Sequence, residues 1–208
     1  MQTPLFQDHP ESLEAINLGD GRIHLHSKLY TAAEADGLLR SLLAEIPWRQ
    51  DSLWIAGREI PVPRLQCWMG DTGSIYGYSG MRLEPEPWNA QVQSIRNRVQ
   101  ALSGLQFNSV LLNLYRDGTD SVSWHADDEA ELGEEPIIAS VSLGTERRFQ
   151  MKHRHDNTRK KYQIDLPHGS LLIMGKGIQN NWIHQIPKQK SVTAPRINLT
   201  FRSIVEQN

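Results

Sequence analysis

Apolar and polar positions divide the chain into two regimes. Ahead of residue 105 the apolar positions recur at helical spacing. Leu38, Leu39, Leu42, Leu43 and Ile46 form one stripe, and Val92, Ile95, Val99 and Leu102 form a second. The first follows Thr31-Ala32-Ala33-Glu34, a capping box in which a hydroxyl and a carboxylate each satisfy a free backbone amide, and Pro47 stops it. The second is predicted to start near Pro87 and to stop at Gly104. From Phe107 onward the period shortens. Apolar-rich runs occupy Val110–Tyr115, Ile137–Leu143, Arg148–His153, Tyr162–Leu166, Ser170–Met174, Trp182–Ile186 and Arg196–Val205. Turn residues separate them, among them Asp117-Gly118, Gly144-Thr145 and Pro167-His168-Gly169. A series of short strands in so little chain predicts a sandwich or jelly roll with the two helices packed on one sheet. The expected class is α+β. A length of 208 residues suits a single domain. Its parts would be a loosely attached arm over 1–20, a helix-containing extension over 21–105 and a strand-rich core over 106–208.

Composition narrows the partners. Hydrophobic residues make up 38% and charged residues 22%, ordinary values for a globular protein. No apolar run approaches the ~20 residues of a membrane span, and the N-terminus lacks the apolar core of a signal peptide. The lone cysteine, Cys67, allows no internal disulfide, which fits the cytoplasm. A net charge of −2 excludes a uniformly basic nucleic-acid binder. Any grip on phosphates must come from a local patch. Arg147–Lys161 is the concentrated one, with seven Lys or Arg, two His and a single acid.

The C-terminal run carries the most information. Strand alternation puts Ile197, Leu199 and Phe201 on one face and Arg196, Asn198, Thr200 and Arg202 on the other. That polar face is either solvated or lines a cavity. In a cavity, two guanidinium groups would demand an anionic ligand, and a small dicarboxylate satisfies them. His125-Ala126-Asp127 would likewise place an imidazole and a carboxylate on one face of a strand. Alone, such a pair is equally compatible with chance. His184, on a separate predicted strand, is the candidate that would complete a two-His, one-carboxylate metal site with open positions. The pairs His24/His26 and His153/His155 have no convincing third ligand and read as structural, and Cys67 reads as buried and inert.

The order His-x-Asp, distant His, then Arg on the next strand resembles the iron- and 2-oxoglutarate-dependent oxygenases. The chain resembles the AlkB family of nucleic-acid dealkylating dioxygenases in particular. The matching segments are Asn113-Leu114-Tyr115, Trp124–Glu129, Ile138–Gly144, His168–Leu172, His184 and Pro195–Arg202. The resemblance implies a double-stranded β-helix in which His125, Asp127 and His184 bind Fe(II). Arg196, helped by Tyr115, would meet the distal carboxylate of 2-oxoglutarate. Asn113 and Arg202 would sit near the iron-chelating end, and Asn198 and Thr200 would complete the pocket wall. The family splits 2-oxoglutarate to succinate and CO₂ with O₂ and hydroxylates an N-methyl group, which leaves as formaldehyde. Ascorbate serves as reductant in vitro.

The resemblance also implies a flipped or single-stranded base as substrate. Tyr76-Gly77-Tyr78-Ser79 resembles the stacking segment, with His125 as the opposite wall. Glu129, beside Asp128, matches the acidic position that would favour the cationic N1-methyladenine and N3-methylcytosine. Arg64 matches a DNA-contacting arginine. Trp54–Arg58 resembles a base-wedging hairpin, but Ala56 stands where a bulky residue would serve, which favours single strands over duplexes. The implied partner is alkylated DNA, single- or double-stranded, with RNA left open, bound by a monomer away from membranes. The competing reading is an oxygenase of the same class acting on a protein or on another modified base.

Overall fold

The computed structural model describes residues 13–55, 57–74, 76–78 and 81–205. In chain order the elements are β1 (Leu13–Asn17), β2 (Arg22–His26), helix α1 (Ala32–Glu45), β3 (Ser52–Ile55), β4 (Arg58–Pro61), β5 (Leu65–Gly70), β6 (Tyr76–Tyr78), β7 (Met81–Leu83) and helix α2 (Ala90–Ser103). Then come β8 (Ser109–Tyr115), β9 (Val122–His125), a 3-10 turn, β10 (Ile138–Gly144), β11 (Arg147–His153), β12 (Tyr162–Leu166), β13 (Ser170–Met174), the short helix α3 (Ile178–Asn181), β14 (Trp182–Ile186) and β15 (Arg196–Arg202).

Two antiparallel sheets face each other. The larger has the order β1-β2-β13-β10-β15-β8-β5 and the smaller β12-β11-β14-β9. This is the double-stranded β-helix the sequence predicts. The extension also contributes β2 and β5 to the larger sheet, which the helical reading of its pattern does not predict. Their partners lie far away in sequence: β2 pairs with β13 and β5 with β8. Leu13–Asn17, expected within a loose arm, is the edge strand paired with β2. Residues 1–12 lie outside the described residues.

Side-chain alternation on two neighbouring strands builds both the core and the cavity. On β8, Val110, Leu112 and Leu114 face the helices. On β15, Ile197, Leu199 and Phe201 do the same. They pack under Leu42 and Ile46 of the first helical segment and Val92, Ile95 and Val99 of the second. The opposite faces, with Leu111, Asn113 and Tyr115 on β8 and Arg196, Asn198, Thr200 and Arg202 on β15, line the space between the sheets. Helix α1 has the expected capping box, Thr31 with Glu34. Helix α2 starts at Ala90 rather than near Pro87, because the Asn89 side chain accepts from the amides of Gln91 and Val92 and so defines the cap. Gly104 closes it in the left-handed conformation at φ 70°.

Candidate active site

The space between the sheets is a cavity open at one end. The smaller sheet brings two imidazoles to it. His125 ends β9 directly opposite His184 on β14, and their ring centroids lie 4.3 Å apart. Asp127 completes the group: one ligand atom from each of the three residues lies within 4.8 Å of the others. The structure corrects one detail here. Asp127 does not share a strand face with His125, since β9 ends at His125. It reaches the site from the loop that follows.

The electrostatics suit a metal. His125 Nδ1 lies 2.8 Å from the Ser123 carbonyl oxygen, so it carries the proton and leaves Nε2 with a free lone pair. Burial lowers the His125 pKa and lowers that of His184 to about 3. Both rings are therefore neutral at neutral pH, as metal ligation requires. Burial acts to raise the Asp127 pKa, but the Arg202 charge beside it outweighs that and holds the carboxylate ionised. Arg202 Nη2 donates to Asp127 Oδ1 at 2.8 Å, which leaves Oδ2 available.

The other end of the cavity calls for an anion. Arg196 is 1% exposed. Its Nη2 donates to Ser142 Oγ at 2.9 Å and its guanidinium makes a further hydrogen bond to Tyr115, but no carboxylate meets it among the described residues. Its guanidinium lies 5.3 Å from the centre of the Tyr115 ring. Burial lowers even this pKa, to about 10. A buried cation without an anionic partner is costly unless a ligand supplies negative charge. A carboxylate there and a three-ligand cluster across the cavity fit a dicarboxylate that also chelates iron.

The walls are internally braced. Asn198 donates to Ser140 Oγ and the Val141 carbonyl and accepts from Thr200 Oγ1. Asn113 Oδ1 accepts from Arg64 Nε at 2.7 Å and Gln66 Nε2 at 3.0 Å. Both neighbours donate, so the amide nitrogen of Asn113 is turned to the cavity as a donor.

Residues 21–202 match the profile of the 2OG-Fe(II) oxygenase superfamily. The chain belongs to that superfamily. Within it, the oxygenase is an AlkB-family member. It is 39% identical over 194 residues to the human alpha-ketoglutarate-dependent dioxygenase alkB homolog 3, covering 89% of this chain and 67% of the relative. It is 40% identical over 186 residues to the DNA oxidative demethylase ALKBH2 of Bos taurus, covering 85% and 67%. The Arabidopsis thaliana ALKBH2 is 32% identical over 231 residues, covering 99% and 73%. Among solved structures, "The structure of OsALKBH1" superposes with a TM-score of 0.57 at 18% identity, covering 91% of this chain and all of that one. An oxygenase of the same superfamily from Burkholderia pseudomallei gives 0.55 at 14% identity, covering 86% and 84%. These two bear on the fold alone. As a 2OG-Fe(II) oxygenase, the protein is an enzyme that takes Fe(II), 2-oxoglutarate and O₂.

The expected nucleic-acid contacts fare unevenly. Arg64 was expected, from the resemblance, to contact DNA. It is 5% exposed and belongs to the wall of the oxygenase cavity, because Asn113 and the Ser121 carbonyl hold its guanidinium inside. Arg147 leaves the basic patch for the same kind of reason: it is buried and donates to the carbonyls of Asp117, Asp120 and Pro187. Arg154 pairs with Asp128 at 2.6 Å, so Asp128 anchors the basic hairpin to the loop after the metal ligands. Glu129 is half-buried in that loop. Tyr76 and Tyr78 lie on the β6–β7 hairpin. Ser79 and Ala56 lie outside the described residues. Trp54, on the isolated β3–β4 hairpin, is 74% exposed. Among the described helices none is long and apolar enough to cross a membrane. Sequence reasoning missed Gln66 and Gln179, since nothing in a lone glutamine signals that it holds a distant backbone or amide.

Proposed function

We propose that this oxygenase demethylates alkylated bases, N1-methyladenine and N3-methylcytosine, in DNA, preferring single strands. The observation that carries the substrate class is the 40% identity to a DNA oxidative demethylase across the span that holds the site. His125, Asp127 and His184 would hold iron through Nε2 of His125, an imidazole nitrogen of His184 and the Asp127 oxygen that Arg202 leaves open. Bound there with 2-oxoglutarate and O₂, iron supplies the oxidising power that turns an N-methyl group into N-hydroxymethyl. Arg196 would receive the distal carboxylate, with Tyr115 beside it. Asn113 would donate to the carboxylate end nearer the metal, with its amide oriented by Arg64 and Gln66. The hydroxymethyl group then breaks its C–N bond, releasing formaldehyde and the unmodified base.

Tyr78 and His125 would sandwich the base, with Tyr76 and Ser79 beside it. Glu129 would favour the positive charge of the methylated ring. Trp54 offers a flat exposed surface for an adjacent base. RNA presents the same base edges and is a substrate to be tested, not assumed. The enzyme would act as a monomer in the cytoplasm, where Fe(II) and the thiol of Cys67 stay reduced.

The test is mass spectrometry of oligonucleotides carrying one methylated base, incubated with protein, Fe(II), ascorbate and 2-oxoglutarate. Single-stranded DNA, duplex DNA and RNA are compared. The expected result is loss of the methyl group that depends on 2-oxoglutarate and is fastest in single-stranded DNA. Steady succinate formation without methyl loss would overturn the base-repair reading and direct the search to other substrates.

A further inference from the structure

Asp127 is the triad member that no strand holds. The ladder between β9 and β14 ends at His125, so neither Ala126 nor Asp127 has a sheet partner to fix its backbone. A ligand on an untethered loop would sample positions that a metal does not tolerate. Two tethers from distant chain replace the ladder. Arg202 holds one carboxylate oxygen. The Asp127 backbone N–H donates to Gln179 Oε1 at 2.9 Å, across 52 residues of sequence.

Gln179 is fully buried. Its amide has one sensible orientation. A backbone N–H can only donate, so Oε1 faces Asp127, and Nε2 turns to the Met174 sulfur at 3.5 Å. Helix α3, which carries Gln179, leads straight into β14 and His184. Gly177 opens α3 at φ 80°, where an added Cβ would collide with the Asp20 carbonyl. One rigid turn therefore delivers His184 and also grips the backbone of Asp127. It fixes the spacing between two ligands that come from different parts of the chain.

We propose that Gln179 is a positioning residue for the metal centre. Its side-chain oxygen sets the Asp127 backbone so that the carboxylate oxygen not held by Arg202 meets the ion beside both histidines. Gln179 is not among the residues that line the cavity, so its part is support from behind the site. The inference rests on the assignment of His125, Asp127 and His184 as the iron ligands. Losing such a support typically weakens metal binding ~10–100-fold.

The test uses Co(II), a spectroscopic stand-in for Fe(II), on the metal-free full chain. Wild type, Gln179→Met and Asp127→Ala are compared by calorimetry, by the visible d–d absorption of bound Co(II) and by thermal unfolding. Met matches the length of Gln but offers the Asp127 N–H only a weak thioether acceptor in place of an amide oxygen. Gln179→Met is expected to weaken Co(II) about 10–100-fold and to shift the absorption bands. An unchanged affinity and spectrum in the folded variant would overturn the inference, because a glutamine that only fills space would change the unfolding temperature alone. Should Gln179→Met fail to fold, Gln179→Asn keeps the amide but shortens its reach and makes the same comparison. If Asp127→Ala binds Co(II) as wild type does, or wild type binds none, the ligand assignment fails and takes the inference with it.

Discussion

Arg196 and Arg202 share one face of β15 but hold different things. Arg202 already has an anion, Asp127, in a pair whose two side chains are almost wholly buried. Arg196 forms no ion pair among the described residues and has only neutral partners, Ser142 and Tyr115 among them. Their substitutions should therefore separate. Arg196→Gln should raise the Kd for 2-oxoglutarate about 100-fold, the worth of one or two charge-assisted hydrogen bonds, and leave Co(II) affinity within about twofold. Arg202→Gln should weaken metal and cosubstrate together, because it leaves Asp127 as an uncompensated buried charge. Calorimetry with each ligand decides. A loss confined to 2-oxoglutarate in Arg202→Gln would break the proposed link to the metal ligand. The pattern of polar residues on this strand was plain in the sequence, but the division of labour between its two arginines was not. It depends on Asp127, 75 residues away, arriving at one guanidinium and not the other.

Among the elements, the turn between β1 and β2 acts as a clasp. Asp20 accepts from Trp182 Nε1 at 2.8 Å and from Arg159 at 2.8 Å. His153 Nδ1 accepts backbone amides from His155 and Asp156, so its Nε2 carries the proton and donates to Asp20 at 3.1 Å. Burial pushes the Asp20 pKa up, but the hydrogen bonds from Trp182 and His153 and the Arg159 charge outweigh it, and the pKa falls below its usual 3.8. A lowered carboxyl pKa stabilises the fold above the unfolded value, and this is lost as pH falls through the folded value. Asp20→Asn should cost about 1–2 kcal/mol at pH 7, with the gap to wild type closing below about pH 4 in thermal melts. A pH-independent gap would mean that shape matters there and charge does not. The β3–β4 hairpin makes the opposite prediction. Among the described strands it pairs only with itself, and it shows Trp54 to solvent. Trp54→Ala should weaken single-stranded DNA about tenfold by fluorescence anisotropy, within the ~1–3 kcal/mol of a stacked base, and leave 2-oxoglutarate turnover without DNA unchanged. One capping box and two apolar stripes made the helices readable in advance. Strands β2 and β5 were not, because their reason for being strands is an edge supplied by β13 and β8.

For the whole molecule, a net charge of −2 means that attraction to nucleic acid is local. The β11–β12 hairpin keeps Arg148, Lys160 and Lys161 exposed after Arg147 is withdrawn into the interior. Lys160→Ala with Lys161→Ala should weaken DNA binding at low salt. Each lost phosphate contact should also reduce the slope of log K against log salt by about 0.7 on single strands. An unchanged slope would move the phosphate contact to another face. Local periodicity and turn residues were enough to place the helices, most core strands and the polar face of β15, and they made candidates of His125, Asp127, His184 and Arg196. Only the folded chain shows that Arg64 and Arg147 turn inward, that Asp127 hangs from Gln179 and Arg202, and that Arg196 has no carboxylate partner among the described residues. Each of those outcomes depends on which distant group arrives to satisfy a buried donor, and no local pattern in the chain encodes that.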